Sequence, residues 1–334
     1  MSTARVAALG GPRAWTRDTL REDDWLLTLP AAWTDGVRAD RAGGLRPAGQ
    51  PPPPHLTEAP HPAEPPEFPA GLLARLAEQL TRGPGFAVVR GGPLTGLSDA
   101  RCLDLAHRFA ARLGTPRPPD APEQGHALLT SRLPAGHPAA DAVRGGVDDR
   151  DLALHTDRGG PPGPPRLLGL LCVRQAAHGG ASLLAGGATV HDRLLARHPA
   201  VLGRLYRDFR FGRGDGFDRV HPVFERSAGE VLTRYNRYWI ERGHREAGES
   251  LSAGDRTALD AFDEILADPG TVLSIRLRPG DFLLLDNTAV LHGRTAFTDT
   301  SGDPLRRRCL VRVWVDRPTL PGTGRLPGYQ VPGK

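Results

Sequence analysis

The feature that most constrains the fold is a run of closely spaced strand-like segments in the last third of the chain. Three segments rich in Val, Ile and Leu follow one another there, and a Pro-Gly-Asp turn separates the first two: TVLSIRL, FLLLDN and RRRCLVRVWVD. Helical segments precede these strands and do not alternate strictly with them. This order favours an antiparallel core with helices outside it, a mainly β protein with flanking helices (α+β).

Local patterns predict most of the other elements. Apolar residues recur at helical spacing over 72–82, and Ser98 is a suitable N-cap for a second helix that Gly114 ends. Ser252 and Asp255 form a predicted capping box before a third helix. The remaining patterns predict strands at 86–90, 167–173, 181–185 and 230–236, and a helix at 189–206.

The chain is predicted to hold one folded domain, residues 71–317, between an N-terminal arm of residues 1–70 and a tail of residues 318–334. The arm contains PPPP at 51–54 and further prolines, which favour an extended segment packed on or wrapping the core. Residues 115–150 are rich in Pro, Asp, Gly and Ala and show little periodicity. We predict an active-site loop or lid there.

The use of lysine and cysteine excludes several classes of function. The only lysine is Lys334, at the end of the sequence. A P-loop, a pyridoxal phosphate Schiff base and a kinase-type site each need an internal lysine, so arginine must bind any anion here. Cys102, Cys172 and Cys309 are far apart and form no CxxC pair, which predicts core thiols instead of disulfides or zinc ligands.

Charge and hydropathy bear on the partners. The net charge is +5, but the arginines are scattered and aromatic residues make up only 6% of the chain, which favours small anions over nucleic acid. Every apolar run is shorter than the roughly 18 to 20 residues of a membrane span. The first residues lack the pattern of a secretory signal. We expect a cytoplasmic protein with no membrane or nucleic-acid partner, and a homo-oligomer stays open.

The segment LALHTD carries the strongest candidate metal site. In an extended strand His155 and Asp157 would point to one face, because residues i and i+2 do so. His292 would supply a third ligand. Two imidazoles and one carboxylate leave positions for a bidentate acid and dioxygen, as in non-haem iron(II) oxygenases. Zinc hydrolases also use His and Asp ligands, so the triad alone does not choose the metal.

The segment RRRCLVRVWVD alternates between two faces. One face is apolar and predicted to be core, while the other carries Arg306, Arg308, Arg312 and Trp314. Arg308 and Arg312 lie four residues apart, one strand after His292. A guanidinium is a planar fork that binds a carboxylate through two hydrogen bonds, so the pair suits carboxylate binding. The alternative is a solvated edge strand with ordinary surface charge.

Several motifs in order give the chain a resemblance to a known family. They are GFAVVRG, LALHTD, LLCVRQAAHGGASLLAGG, RYNRYWIE, RPGDFLLLDNTAVLHGRTAF and the closing R-x-x-x-R. Over about 72–317 the chain resembles the taurine dioxygenase family of iron(II)/2-oxoglutarate oxygenases, which includes clavaminate synthase-like and γ-butyrobetaine hydroxylase-like enzymes. The resemblance implies a distorted double-stranded β-helix, or jelly roll, flanked by helices.

The resemblance also implies roles for the metal and cosubstrate residues. His155, Asp157 and His292 match the iron ligands of the family. Arg308 matches the arginine that pairs with the distal carboxylate of 2-oxoglutarate. Ser182 stands where relatives often have a threonine whose hydroxyl supports the same carboxylate, so the hydroxyl is kept and the methyl is lost.

Two further positions match residues that contact the primary substrate in some relatives. Arg312 matches an arginine that binds an anionic group of the substrate. Asp151 falls where a substrate-contacting polar residue stands, and its alternative is a solvated loop acid within DDRD. The resemblance implies no catalytic residue beyond the metal site.

The function implied is an iron(II)/2-oxoglutarate-dependent oxygenase that uses dioxygen to hydroxylate or desaturate a small, polar, anionic, amino-acid-like substrate of specialised metabolism. Asp157 disfavours halogenation, because related halogenases have a small residue in place of this carboxylate. Two alternatives stay open. One is a zinc-dependent hydrolase on the same three ligands, and the other is a non-catalytic jelly-roll binding protein.

Overall fold

The computed structural model describes residues 7–31, 68–117, 128–130, 149–157, 164–212, 220–227, 230–299 and 306–318. The proline-rich part of the predicted arm and nearly all of the predicted tail lie outside the described residues. So does most of the predicted loop at 115–150, apart from its first three residues, the short segment 128–130 and its last two.

Six helices and seventeen strands make up the described part of the chain, with a short 3-10 turn at Glu22–Asp24. The helices are α1 Ala70–Thr81, α2 Asp99–Ala111, α3 Gly187–Arg197, α4 Pro199–Leu205, α5 Arg237–Glu246 and α6 Ala253–Ala267. The strands are β1 Leu26–Thr28, β2 Phe86–Arg90, β3 Gly114–Pro116, β4 Leu128–Thr130, β5 Leu152–His155, β6 Leu167–Arg174, β7 His178–Gly179, β8 Ser182–Gly186, β9 Asp208–Arg210, β10 Val220–Pro222, β11 Phe224–Ser227, β12 Glu230–Thr233, β13 Leu273–Ile275, β14 Phe282–Asp286, β15 Val290–Arg294, β16 Phe297–Thr298 and β17 Cys309–Pro318.

Two sheets form the centre of the molecule. The larger has the order β1-β2-β14-β6-β17-β3, with β4 also paired to β17, and the smaller has the order β13-β8-β15-β5. Only the β1–β2 pair is parallel among the pairings described in these two sheets. The sheet-rich core with flanking helices confirms the predicted jelly-roll fold class.

Alternation along the strands separates the core into layers. In β14, Leu283 and Leu285 face the apolar layer shared with the smaller sheet, while Phe282 and Leu284 face the layer under α1 and α2. A third apolar layer lies between the smaller sheet and α3 to α6. The larger sheet is therefore covered on both faces, which explains why FLLLD is apolar throughout.

The structure confirms several predicted elements and corrects others. Ser98 accepts a hydrogen bond from the Arg101 backbone N–H at the start of α2, and the capping box of Ser252 with Asp255 is present. The predicted helix at 189–206 is wrong as one piece, because it ends at Arg197 and a second begins at Pro199. Proline lacks the N–H that would continue a helix but fits a first turn, so the chain restarts there.

The predicted strand at 230–236 is too long. Strand β12 ends at Thr233, and Asn236 then caps α5 by accepting a hydrogen bond from the Trp239 backbone N–H. The sequence patterns did not predict this helix.

Among the helices described above, none combines the length and the apolar character needed to cross a membrane.

The N-terminal segment 7–31 contacts the core through charge as well as strand pairing. The guanidinium of Arg13 lies 3.3 Å from Asp286, and the guanidinium of Arg166 donates to the same carboxylate at 2.7 Å. Burial raises the pKa of Asp286, but these two cations outweigh it, and the pKa lies below its ordinary value. Asp286 ends β14 and precedes Asn287, so this charge cluster supports the strand end next to the candidate site.

We predict that Asp286→Ala lowers the free energy of unfolding by about 3–5 kcal/mol, because it leaves two buried or half-buried guanidiniums without their shared carboxylate. The measurement is urea unfolding followed by circular dichroism. Asp104→Ala is the control, because it removes an exposed carboxylate paired with Arg108 on a helix surface. The control should cost at most about 0.5 kcal/mol, and equal losses in both variants would contradict the prediction.

Candidate metal centre

The two histidines meet because β5 and β15 are neighbours in the smaller sheet. His155 ends β5 and His292 stands directly opposite it in β15, so their side chains leave the sheet on the same face. Their ring centroids are 4.4 Å apart. The register with β5 shifts between His292 and Arg294. The register of one strand pair thus places two imidazoles side by side.

Asp157 reaches the same face for a different reason from the predicted one. Strand β5 ends at His155, so Asp157 lies two residues beyond regular pairing. The Asn287 side chain holds it there, accepting from the Asp157 backbone N–H at 2.7 Å and donating to the Asp157 carbonyl at 2.8 Å. A third bond joins Asn287 to the Pro165 carbonyl. One buried amide therefore fixes the backbone that carries the carboxylate.

The three predicted ligands form a compact donor set. Asp157 Oδ1 lies 3.5 Å from His155 Nε2 and 3.6 Å from His292 Nε2. The ligand atoms of all three residues lie within 4.8 Å of one another. Donor atoms that sit roughly 2.0–2.2 Å from one metal ion are separated by distances of this size. The cluster therefore fits a single metal ion, and its two nitrogens and one carboxylate oxygen fit iron(II).

The protonation states suit metal binding. His155 Nδ1 donates to the Ala153 carbonyl at 2.8 Å, which leaves the lone pair on Nε2, the atom that faces Asp157. Burial lowers the pKa of His292, and the neighbouring His155 lowers it further, so the imidazole favours its neutral form. Burial raises the pKa of Asp157, but the two imidazoles hold it well below its ordinary range.

The other sheet also contributes to this site. Trp314 of β17 donates its indole N–H to Asp157 Oδ2 at 2.6 Å. Arg312 lies over the Trp314 ring, with its guanidinium carbon 4.2 Å from the ring centroid. Burial lowers the pKa of Arg312, and the Asp157 carboxylate partly offsets this effect. The predicted substrate arginine is thus next to the metal cluster.

Arg308 lies beside a second guanidinium. Its side chain is 5% exposed, and its guanidinium lies over the Phe297 ring, as does that of Arg294. Burial and the nearby charge of Arg294 lower the pKa of Arg308 to about 10. The Gln175 amide oxygen accepts from Arg308 Nε at 3.3 Å. Two buried cations so close together favour an anion between or beside them.

The two remaining predicted residues have clear positions. Ser182 is buried and stands opposite Arg294 in the β8–β15 register. Gly180, two residues earlier, packs against Arg308, since a Cβ there would lie 3.1 Å from Arg308 Nε. Asp151 is exposed, and its carboxylate accepts a hydrogen bond from the Ala296 backbone N–H at 2.6 Å. Asp151 therefore braces the segment after β15, and its substrate role stays a prediction.

A family model decides the class of enzyme. Residues 56–314 match the model described as taurine catabolism dioxygenase TauD, TfdA family. The chain belongs to this family. Members are 2-oxoglutarate-dependent dioxygenases, so the predicted family, fold and oxidoreductase class are confirmed, and the His155, Asp157 and His292 cluster fits the iron site of such an enzyme.

One relative in this family is FR-33289 synthase of Streptomyces rubellomurinus (strain ATCC 31215). It is 30% identical over 256 residues, which cover 73% of this chain and 73% of the relative. Two solved structures share the fold. Asparagine oxygenase in complex with Fe(II), 2S,3S-3-hydroxyasparagine and succinate has a TM-score of 0.61 and 21% identity, covering 87% of this chain and 93% of that one. Non-haem iron oxygenase OrfP in complex with Fe and alpha-ketoglutaric acid has a TM-score of 0.57 and 19% identity, with the same coverage.

Sequence patterns gave three residues beside the site no specific role there. The strand alternation placed Trp314 on the same face as Arg308 and Arg312, which indicated a position near the site. Its hydrogen bond to Asp157 joins the larger sheet to the end of a strand of the smaller one, so the sequence pattern did not predict it. Asn287 follows an apolar strand as an isolated amide. Arg294 lies two residues after His292 in the same strand, and its guanidinium lies over the Phe297 ring beside that of Arg308.

We predict that His155→Ala weakens binding of Mn(II), used as an air-stable probe for iron(II), by more than the roughly 10- to 100-fold typical of losing an outer-sphere partner. One of three donors is lost. Isothermal titration calorimetry under matched buffer measures the affinity. His178→Ala, which removes an exposed imidazole from β7, should bind Mn(II) like the unaltered protein. Equal affinities in the two variants would exclude His155 as a ligand.

Proposed function

We propose that this enzyme hydroxylates or desaturates a small, polar, amino-acid-like substrate with an anionic group, in specialised metabolism. Iron(II) binds at His155, Asp157 and His292, with 2-oxoglutarate and dioxygen as cosubstrates. The observation that carries the proposal is the position of two arginine sites around one donor set. Arg312 adjoins Asp157 through Trp314. Arg308 directly precedes β17 and lies beside Arg294, which is two residues beyond His292 in β15.

The cosubstrate is assigned to the side of Arg308. A dicarboxylate needs one end at the metal and a cation for the other end. Arg308 is buried, its pKa is lowered to about 10, and Arg294 stands two residues beyond His292. A carboxylate bound there would relieve the repulsion between two guanidiniums, and the buried Ser182 on the neighbouring strand supplies a hydroxyl.

The primary substrate is assigned to the side of Arg312. This guanidinium is partly buried and stacked on an indole, so its position is fixed while its N–H groups keep their planar fork. It is close enough to Asp157 for the two charges to affect one another. An anionic group bound by Arg312 would therefore hold the rest of a small substrate near the metal. Asparagine oxygenase, which shares the fold, has 2S,3S-3-hydroxyasparagine in its complex, and this supports the amino-acid class.

When bound, the metal and its keto acid supply the oxidising power, and the protein supplies positioning and exclusion of water. The chain's own residues hold the cosubstrate, orient the substrate, and favour the neutral form of His292 and the carboxylate form of Asp157. Phe297 and Trp314 are 5% and 6% exposed, and the guanidiniums of Arg294, Arg308 and Arg312 lie over their rings. This burial strengthens the charge interactions inside the site.

The proposed function is tested with a screen of candidate amino acids and related anions, followed by succinate formation and oxygen uptake. A true substrate should raise both rates together in the presence of iron(II) and 2-oxoglutarate. Hydrolysis with zinc and without oxygen uptake would favour a hydrolase. Absence of metal binding would favour a non-catalytic binding protein.

We predict that Arg308→Ala raises the KM for 2-oxoglutarate at least about tenfold, because a charge-assisted bidentate bond to a carboxylate contributes roughly 1.5–3 kcal/mol. Steady-state succinate formation measures this. Arg101→Ala, an exposed arginine on α2, is the matched control and should keep the KM. An unchanged KM in folded Arg308→Ala would remove the cosubstrate assignment.

For Arg312→Ala, we predict a higher KM for the best substrate of the screen and a smaller change in the KM for 2-oxoglutarate, because the two arginines bind different anions. Mass spectrometry of the product and succinate assays on the same samples give both values. Arg226→Ala is the control, because it removes another guanidinium that lies over an aromatic ring, that of Tyr206, which packs against His191 and Phe224. If Arg312→Ala turns over the substrate as Arg226→Ala does, the anionic-substrate assignment is wrong.

A further inference from the structure

We propose that Trp314 is a positioning residue that holds Asp157 as a one-oxygen metal ligand. The indole N–H occupies Oδ2 of the carboxylate at 2.6 Å, while Oδ1 faces the Nε2 atoms of both histidines at 3.5 and 3.6 Å. The two oxygens of one carboxylate thus have different partners. This inference rests on the proposed function only in taking the triad to bind a metal.

The division of the two oxygens has a chemical consequence. A carboxylate binds a metal through one oxygen or through both, and it can turn about its Cβ–Cγ bond to do either. Two-oxygen binding by Asp157 would occupy a coordination position that a bidentate keto acid or dioxygen needs. A donor fixed on Oδ2 opposes this rotation and keeps the position open.

Trp314 is well placed to act as a fixed donor. It stands opposite Leu168 of β6 within the larger sheet, and its side chain is 6% exposed. Two guanidiniums lie over its ring, Arg312 at 4.2 Å and Arg117 at 5.2 Å from the centroid. Arg117 is itself paired with Asp316. The indole therefore has little freedom to follow the carboxylate if the carboxylate turns.

The backbone of Asp157 has its own support, which separates the two roles. Asn287 bonds both the N–H and the carbonyl of Asp157, so the backbone position does not depend on the indole. Loss of the Trp314 N–H should leave the backbone in place and free only the side-chain rotation. A change in metal binding then reports the orientation of the carboxylate.

The test replaces the indole N–H in two ways and measures Mn(II) binding without turnover. Trp314→Phe keeps an aromatic ring, and site-specific β-(3-benzothienyl)alanine keeps the bicyclic shape with sulfur in place of N–H. Trp15→Phe is the matched control, because Trp15 is 4% exposed in the same apolar layer as Trp314 but donates its indole N–H to the Pro84 carbonyl at 2.8 Å. Calorimetry gives the Mn(II) affinity, and thermal melts give the stability of each protein.

We expect both Trp314 replacements to weaken Mn(II) binding by about 10- to 100-fold, the usual effect of losing an outer-sphere partner. Affinity for 2-oxoglutarate in the Mn(II) protein should fall as well, and Trp15→Phe should change neither affinity. Unchanged Mn(II) affinity in a folded Trp314 variant would overturn the proposal. So would a loss in Trp314→Phe that the sulfur isostere does not share, or an equal loss in Trp15→Phe. If the unaltered protein binds no Mn(II), the proposed function fails instead.

Discussion

The register between β5 and β15 is the constraint on which the site depends. It puts His155 directly across from His292, although the two residues are distant in sequence. A slip of one residue would turn one imidazole to the opposite face of the sheet, because side chains alternate with a period of two. The register is held by the apolar side chains of the smaller sheet, since Val290 and Leu291 face different buried layers on its two sides. Core packing and metal geometry thus depend on neighbouring residues of the same strand, β15.

A second theme is how the fold compensates buried charge. Asp286 is surrounded by Arg13 and Arg166, and Asp157 by two imidazoles, an indole N–H and a nearby guanidinium. Both carboxylates have pKa values below their ordinary range despite burial. The Arg294 and Arg308 pair is different, because burial and then the like charge of Arg294 lower the pKa of Arg308. Such an arrangement is costly in a protein that only needs to fold, and it suits one that binds a small dianion.

Much of this could be predicted from local sequence. Strand alternation in RRRCLVRVWVD gave the core face correctly, since Val311, Val313 and Val315 are all buried in one layer. The motif LALHTD and the later HGR identified the three donors that the structure brings together. The predictions that failed needed information from distant residues. Strand β5 stops before Asp157, and only the long-range contact with Asn287 explains why the carboxylate still faces the histidines. The bond from Trp314 joins two different sheets, so no local period contains it.

Two facing strands and one carboxylate held by an indole N–H therefore form a metal site beside two arginine sites. The most direct measurement is an anaerobic crystal structure with Fe(II) and 2-oxoglutarate. We expect iron bonded to Nε2 of both histidines and to one oxygen of Asp157, with the distal carboxylate of 2-oxoglutarate against Arg308. Iron bound elsewhere with the triad empty would contradict the proposed metal site. A 2-oxoglutarate molecule placed away from Arg308 would contradict the cosubstrate assignment.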